Sequence, residues 1–358
     1  MAIRLRRVEP REVREAAVQF FLKTRAWPWT TEADYYRYWD WRYSTISESR
    51  PASVWIATDG ETILGHLAVN FRTLQLDGRE VRVGLPGNFL VDEQHRKMMI
   101  GPLLARIPIQ MVRQGEIDLF LGYGNATAHS MSLAFGAKDI GPMSFYVDVR
   151  QWGPVLSRHI PLGRFLAPAA SVAACLRKTI VRRGRLHHVS GLEVRELTAQ
   201  EILTLDRSRW KQPGGLVWRG SGEYLARRFL GNPFRDYRIH GIIHGSSGRL
   251  EGFLVTEGAS RLNVILCETN EAVLLAVDAV DLLASSARQV EVVVVPVLQQ
   301  TMVGTEFSQR GYLARSGQKT DPAVQRTFWS AYWLPQHSLA SFFGRTECWK
   351  LWYGWNQY

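Results

Sequence analysis

Cysteine is scarce in this chain, and so are long apolar runs and, over one stretch, acidic residues. The 3 cysteines, Cys175, Cys267 and Cys348, are scattered and odd in number. They form neither a disulfide framework nor a zinc-type spacing, so no metal is expected and a reducing compartment is. No apolar run approaches the roughly 20 residues that cross a bilayer. The opening residues, MAIRLRRVEPREVREAAVQFF, are charged throughout and lack the apolar centre of a signal peptide. The expected location is cytoplasmic. Zinc-finger spacing, a helix-turn-helix pattern and a basic region with heptads are all missing, which argues against a specific nucleic-acid reader. Between Arg150 and Leu192 no Asp or Glu occurs, while Arg150, Arg158, Arg164, Arg177, Lys178, Arg182, Arg183 and Arg185 all fall there.

What is present is an ordinary globular composition, 46% hydrophobic and 22% charged over 358 residues, enough for two domains of usual size. The net charge of +11 favours anionic partners. The acid-free stretch reads in three ways: a solvated connector, a contact for an anionic lipid surface, or a grip on a phosphate-rich substrate.

The chain also repeats itself. YWDWRY (Tyr38 to Tyr43) resembles YLARRF (Tyr224 to Phe229), both Tyr-x-x-x-Arg-aromatic. Each precedes a strand–turn–strand pattern, with the hairpin turns DGET and GSSGR. Each half then offers a further strand, a helix, and a strongly apolar strand, IDLFLGYG or VEVVVVPV, expected to be buried on both faces. The pattern predicts duplication of one α/β unit. The first copy covers 1–150 and the second 191–358. Between them, 151–190 is a basic connector punctuated by Gly and Pro, with a short basic helix in its middle.

The densest chemistry lies where the strand end NFLV turns through DEQHRK into the helix pattern MMIGPLLARIPIQMV. A helix start leaves backbone N–H groups without internal partners and carries partial positive charge, so such a turn can hold phosphate. His95, Arg96 and Lys97 add cationic reach, Gly101 permits close approach, and Pro102 loses no helical bond within the first turn. These residues resemble the acyl-CoA motif of the GCN5-related N-acetyltransferases, the GNAT superfamily: Val-x-Pro-x-x-Arg-Gly-x-Gly-x-Gly. Val91, Arg96 and Gly101 match. Glu93, Lys97 and Met99 replace its Pro, first Gly and central Gly. The next strand is followed by NATAHSMSLAFGAK, similar to the family's Asn-x-x-Ala-x-x-Leu-Tyr-x-x-x-Gly-Phe through Asn125, Ala128, Met131, Ser132, Gly136 and Ala137. The likeness extends over Arg4 to Asp148.

The resemblance implies an α/β (α+β) fold, here two tandem GNAT-like domains, each a mixed central sheet flanked by helices. It implies an N-acyltransferase that moves an acetyl or other acyl group from acyl-CoA, held as co-substrate, to a primary amine of a small acceptor. Leu90, Val91, Arg96, Lys97, Met98, Met99, Ile100, Gly101, Asn125 and Ser132 are then the CoA-binding residues. Asn125 equally reads as a helix cap. Ser132 stands where the family often has its acidic tyrosine. His129, one helical turn before it, His66 and Asn88 are candidates for moving protons or orienting the acceptor. Pro86 and Gly87 fit a bulge in the strand before the cradle. Tyr38, Trp41, Arg42 and Arg228 either line an acceptor pocket, by stacking and by gripping phosphate, or belong to the core.

The chain also looks like tandem proteins of polysaccharide and nucleotide-sugar biosynthesis, which suggests a nucleotide-linked amino sugar as acceptor. The second copy lacks the cradle: Glu268 and Glu271 stand where cations would, and only Gly311 and Tyr312 keep the later motif. It is expected to be structural or acceptor-binding. The terminal ECWKLWYGWNQY, with Trp349, Trp352 and Trp355, is expected to pack on the second copy or across a homodimer. Two alternatives remain open: a FemAB-like transferase using aminoacyl-tRNA, and a non-catalytic scaffold that binds an anionic partner.

Overall fold

The computed structural model describes residues 2–27, 29, 31–44, 50–76, 78–160, 163–182, 191–205, 217–218, 221–258, 261–267, 270–286, 292–298, 302–310, 312–316 and 328–343. Arg183, Arg185, Glu268, Gly311, Cys348 and the terminal tryptophans lie outside them, as does the side chain of Glu271.

The first half opens with β1 (Arg4–Val8), α1 (Arg14–Lys23), α2 (Glu32–Trp39) and a π-helical turn (Asp40–Ser44). Helix α1 forms where Ala17, Val18, Phe20 and Phe21 recur at helical spacing and bury one face. Thr31 opens α2 by accepting a hydrogen bond from the Asp34 amide at 3.2 Å. An antiparallel meander follows: β2 (Ser53–Asp59), β3 (Thr62–Leu76) and β4 (Arg79–Val91). The expected DGET turn joins β2 to β3, with Asp59 opposite Thr62.

The single helix expected after β4 is three pieces. They are a 3-10 turn (Glu93–Met98), α3 (Ile100–Ala105) and α4 (Ile107–Arg113). Pro108 causes the second break, because it has no N–H to give the Leu104 carbonyl. The half ends with β5 (Leu119–Gly124), α5 (Ala126–Ala134) and β6 (Lys138–Val149).

The expected connector is a helical hairpin, α6 (Trp152–His159) and α7 (Gly163–Arg182). The second half runs through β7 (Leu192–Glu196), α8 (Ala199–Leu203), β8 (Val217–Trp218), α9 (Gly222–Leu225) and a second π-turn (Ala226–Leu230). It continues with β9 (Tyr237–His244), β10 (Leu250–Glu257), β11 (Arg261–Cys267), α10 (Asn270–Ser286) and β12 (Val292–Leu298). It closes with α11 (Met302–Gln309), β13 (Leu313–Ser316), β14 (Phe328–Tyr332) and α12 (Ala340–Phe343). Both Tyr-x-x-x-Arg-aromatic segments thus become a helix that widens into a π-turn ahead of a β-hairpin.

The strands order β1-β2-β3-β4-β5-β14-β6-β12-β11-β10-β9-β7, with β13 on β6 and β8 on β3. Most pairs are antiparallel; β4–β5 and β11–β12 are parallel. The halves exchange strands. β14, from the end of the chain, lies between β5 and β6. Strand β6 pairs with β14 through Lys138–Pro142 and with β12 through Met143–Val149, so it passes from one sheet into the next. Gly141, at φ +121°, sits at that passage, in a backbone conformation that side chains disfavour. One core cluster spans the junction: Val83, Leu85 and Leu121 of the first half meet Leu225, Phe229, Ile239 and Phe253 of the second, with Trp329 of β14.

Candidate active site

Strands β4 and β5 pair only at Val83–Leu119 and Gly84–Phe120, although they run on to Val91 and Gly124. Beyond that pairing a cleft of about 700 Å³ opens between them. Its walls are Pro86 to Val91 of β4, Gly122 to Asn125 at the end of β5, Gly101 and Pro102 of α3, and Thr127 to His129, Met131 and Ser132 of α5. Arg96 stands at the rim, and Ser330 of β14 contributes from the far end of the sequence.

The β4 wall is bulged. His66 of β3 pairs with Leu90 and Ala68 with Gly87, so β4 holds one residue more than its partner. The extra residue is at Asn88, whose φ is +52°, rather than at Pro86 or Gly87. Asn tolerates this left-handed backbone better than most residues. The Tyr38 hydroxyl donates to Asn88 Oδ1 at 2.8 Å, Asn88 Nδ2 donates to the Tyr43 hydroxyl, and His66 Nδ1 donates to the Asn88 carbonyl at 2.9 Å. A carbonyl only accepts, so the His66 proton sits on Nδ1 and Nε2 carries a lone pair. His66 is wholly buried against Phe21, Trp39 and Tyr43. Burial lowers its pKa to about 4, so the ring is neutral near pH 7. His66 does not line the cleft.

At the cleft's other end, buried Asp92 caps the 3-10 turn, accepting from the Gln94 amide at 3.0 Å. Lys23 donates to it at 2.5 Å and holds the carboxyl below its ordinary range, against the opposing effect of burial. Arg96 pairs with Glu93 at 2.9 Å on the open surface, an interaction of little energy. Met99 joins the turn to α3 at φ +60°, ψ 12°, in the left-handed region. It is 64% exposed and turned away from the cleft wall. Lys97 and Met98 also lie off the wall, and Ile100 is a core residue beneath it. At Gly101, an added Cβ would meet Met131, Phe89 and Val91 at ordinary distances of 3.8, 3.9 and 4.0 Å. Packing does not require glycine there; what glycine leaves open is the cleft itself.

On the α5 side, Asn125 Oδ1 accepts from the Ala128 amide at 3.0 Å and caps the helix. The Ser132 hydroxyl donates to the Ala128 carbonyl at 3.0 Å. His129 is buried, with Nε2 3.5 Å from Asp139 Oδ1. Asn88, Leu90, Val91, Arg96, Gly101, Asn125, His129 and Ser132 are therefore brought to one cleft. Phe89, Tyr123 and Ser330 were missed by sequence reasoning. Phe89 and Tyr123 flank recognised positions, but only the insertion of β14 discloses Ser330.

Tyr38, Trp41, Arg42 and Arg228 form a separate cluster that adjoins the cleft through Gly87 and Asn88. Arg42 Nη2 is 3.0 Å from the place a Cβ on Gly87 would take. The two π-turns meet here: Trp41 Nε1 donates to the Arg227 carbonyl at 3.2 Å, and the Arg228 guanidinium lies 4.8 Å over the Trp41 ring. Arg72 donates to the Tyr224 hydroxyl and stacks 4.4 Å over its ring. Burial, then the charges of Arg42 and Arg72, lower the pKa of Arg228 to about 10. Among the described residues no group of His, Cys, Asp and Glu is arranged to hold a metal, and no helix is long and apolar enough to cross a membrane.

The sequence matches no family model and no curated protein. Solved structures share its fold. A probable N-acyltransferase from Enterococcus faecalis superposes with a TM-score of 0.58 at 9% identity, over 93% of this chain and 72% of its own. A tandem GNAT protein from the clavulanic acid biosynthesis pathway superposes with a TM-score of 0.50 at 13% identity, over 93% and 98%. The N-myristoyltransferase of Saccharomyces cerevisiae, solved with myristoyl-CoA, superposes with a TM-score of 0.53 at 12% identity, over 92% and 82%. The architecture is the GNAT fold, carried in tandem within one chain.

Proposed function

We propose that the protein is an acyl-CoA-dependent N-acyltransferase. The cleft between the diverging β4 and β5, with the starts of α3 and α5 at its mouth, carries this reading. Amides of Met99, Ile100 and Gly101 would hold the carrier's diphosphate, with Arg96 in reach. The pantetheine arm would run past Asn125 along the bulged β4, where backbone amides near Asn88 would polarise the thioester carbonyl. A neutral amine attacks that carbonyl carbon, the C–N bond forms, the C–S bond breaks, the amine nitrogen gives up one proton to water and the thiolate takes one. Ser132 is the hydroxyl on the α5 wall for that last transfer. Likeness of fold to acyltransferases, including one solved with myristoyl-CoA, agrees with the reading.

The acceptor side is the Trp41–Arg42–Arg228 cluster beside Asn88. Half-buried Arg42 and buried Arg228 act on each other as like charges and would gain from an anion, so an amine on a phosphate-bearing scaffold, such as a nucleotide-linked amino sugar, suits the cluster. The first half would thus bind the carrier and the second would complete the acceptor pocket. Calorimetric titration with CoA tests the carrier site. The expected result is micromolar binding that falls at least about tenfold, roughly 1.4 kcal/mol, in Gly101→Val while the melting temperature holds. No heat from the unaltered protein would remove the reading. Thiol release across a panel of amines then selects the acceptor.

A further inference from the structure

The α6–α7 hairpin is built inside out. Small residues of α7, Gly163, Ala167, Ala170 and Ala174, fall on the face toward α6 by helical position, and Ala167 approaches Gly153 of α6. The large apolar residues face away. Phe165 is 65% exposed, Val172 59% and Leu176 58%. With exposed Ala169 they recur at i, i+4, i+7 and i+11, a continuous stripe. Leu166 and Ile160 extend the exposed apolar surface toward the hairpin's turn. The Ser171 hydroxyl donates to the Ala167 carbonyl at 2.8 Å, so this polar group is satisfied within the helix. The same helix carries Arg164, Arg177, Lys178 and Arg182 and no acidic residue.

We infer that α7 docks the protein on an anionic phospholipid surface, lying in the interface with Phe165, Val172 and Leu176 immersed. Two observations select this occupant. The stretch from Arg150 to Leu192 has no carboxylate to repel a phosphate headgroup. An outward stripe of Phe, Val and Leu between basic residues is the pattern of a helix that lies on a bilayer, and this helix is not apolar enough to span one. A nucleic acid would use the arginines but has nothing to offer the stripe. A second copy of the chain would set the two basic stretches against each other. The inference is independent of the acyltransferase reading.

Cosedimentation of the full chain with vesicles decides it. Vesicles of mixed phosphatidylglycerol and phosphatidylcholine are expected to carry the protein down at low salt, and pure phosphatidylcholine vesicles are not. Salt at 1 M, where the Debye length is about 3 Å, should release most of it. The exposed double variant Phe165→Ser, Leu176→Ser should bind at least about tenfold more weakly while keeping its melting temperature. Three results would overturn the proposal: no binding to the anionic vesicles, equal binding by the double variant, or a dimer in light scattering that the double variant abolishes. The first of these results, joined by retention of tRNA, would assign the basic stretch to a nucleic acid instead.

Discussion

Asn88 is a residue whose neighbours all serve one backbone twist. Tyr38, Tyr43 and His66 bind its side chain and carbonyl, and the product is a bulge in the cleft wall. His66 is the member with a thermodynamic signature. Its folded pKa, about 4, lies below the ordinary 6.5, so the unfolded chain binds the extra proton first. The His66 contribution is therefore complete above pH 6.5 and is lost as pH falls from there toward 4. The loss amounts to about 3 kcal/mol. Urea unfolding at pH 7 and pH 4.5 should show this slope, and His66→Phe, though less stable at pH 7, should show a much flatter one. An equal slope in both proteins would mean that another group carries it.

Met99, like Arg25 and Asn88, is a non-glycine residue with positive φ. A side chain in the left-handed region costs roughly 1–2 kcal/mol. Met99 supplies no burial in return, being largely exposed. Met99→Gly is expected to gain about 1 kcal/mol in denaturant unfolding, after glycine's greater chain entropy is subtracted, and to bind CoA at least as tightly. A loss of affinity would show that the thioether contributes to the site.

Among the elements, β14 has the most leverage. It sits between β5 and β6, places Ser330 in the cleft, and buries Trp329 completely, 5.0 Å from the Tyr123 ring. Trp329→Ala should cost about 3–5 kcal/mol in chemical denaturation. It should also weaken CoA binding, because β5 loses the neighbour that fixes its side of the cleft. A variant that unfolds earlier yet binds CoA unchanged would show that β5 holds its position without β14. Helix α3 makes the complementary point. It is short because Pro108 interrupts the ladder, and it holds its place because Ile100 and Leu104 pack into the core between β3 and α4.

At the scale of the molecule, the halves share strands, a core and an arginine cluster. The paired Tyr-x-x-x-Arg-aromatic segments meet, so that Trp41 of one lies under Arg228 of the other. Under the proposed function this junction bears on the acceptor alone. Arg228→Met is expected to raise the acceptor KM by about tenfold, the worth of one charge-assisted contact, and to leave the KM for acyl-CoA unchanged. A rise in both constants would make Arg228 a support of the whole cleft.

The meeting of four residues at one cleft was legible in the sequence because their placement is local. Val91, Arg96, Gly101 and Asn125 take their positions from strand ends and helix starts, and spacing along the chain reports those directly. The DGET and GSSGR hairpins, the apolar β5 and the repeated Tyr-x-x-x-Arg-aromatic segments were legible for the same reason, though not the π-turns they form. The shift of the bulge to Asn88 was not, since it depends on a network reaching back to Tyr38, Tyr43 and His66. A helix in the connector was legible, but the twenty-residue length of α7 and its outward stripe, which inverts the usual sign of burial, were not. The sequence by itself determined a tandem α/β chain with Val91, Arg96, Gly101 and Asn125 set at strand ends and helix starts, through short-range rules of pairing and capping. Tertiary structure alone decided that β14 closes the first half's sheet, that Ser330 enters the cleft, and that Trp41 and Arg228 meet, because those contacts join residues far apart in the chain and only packing selects among them.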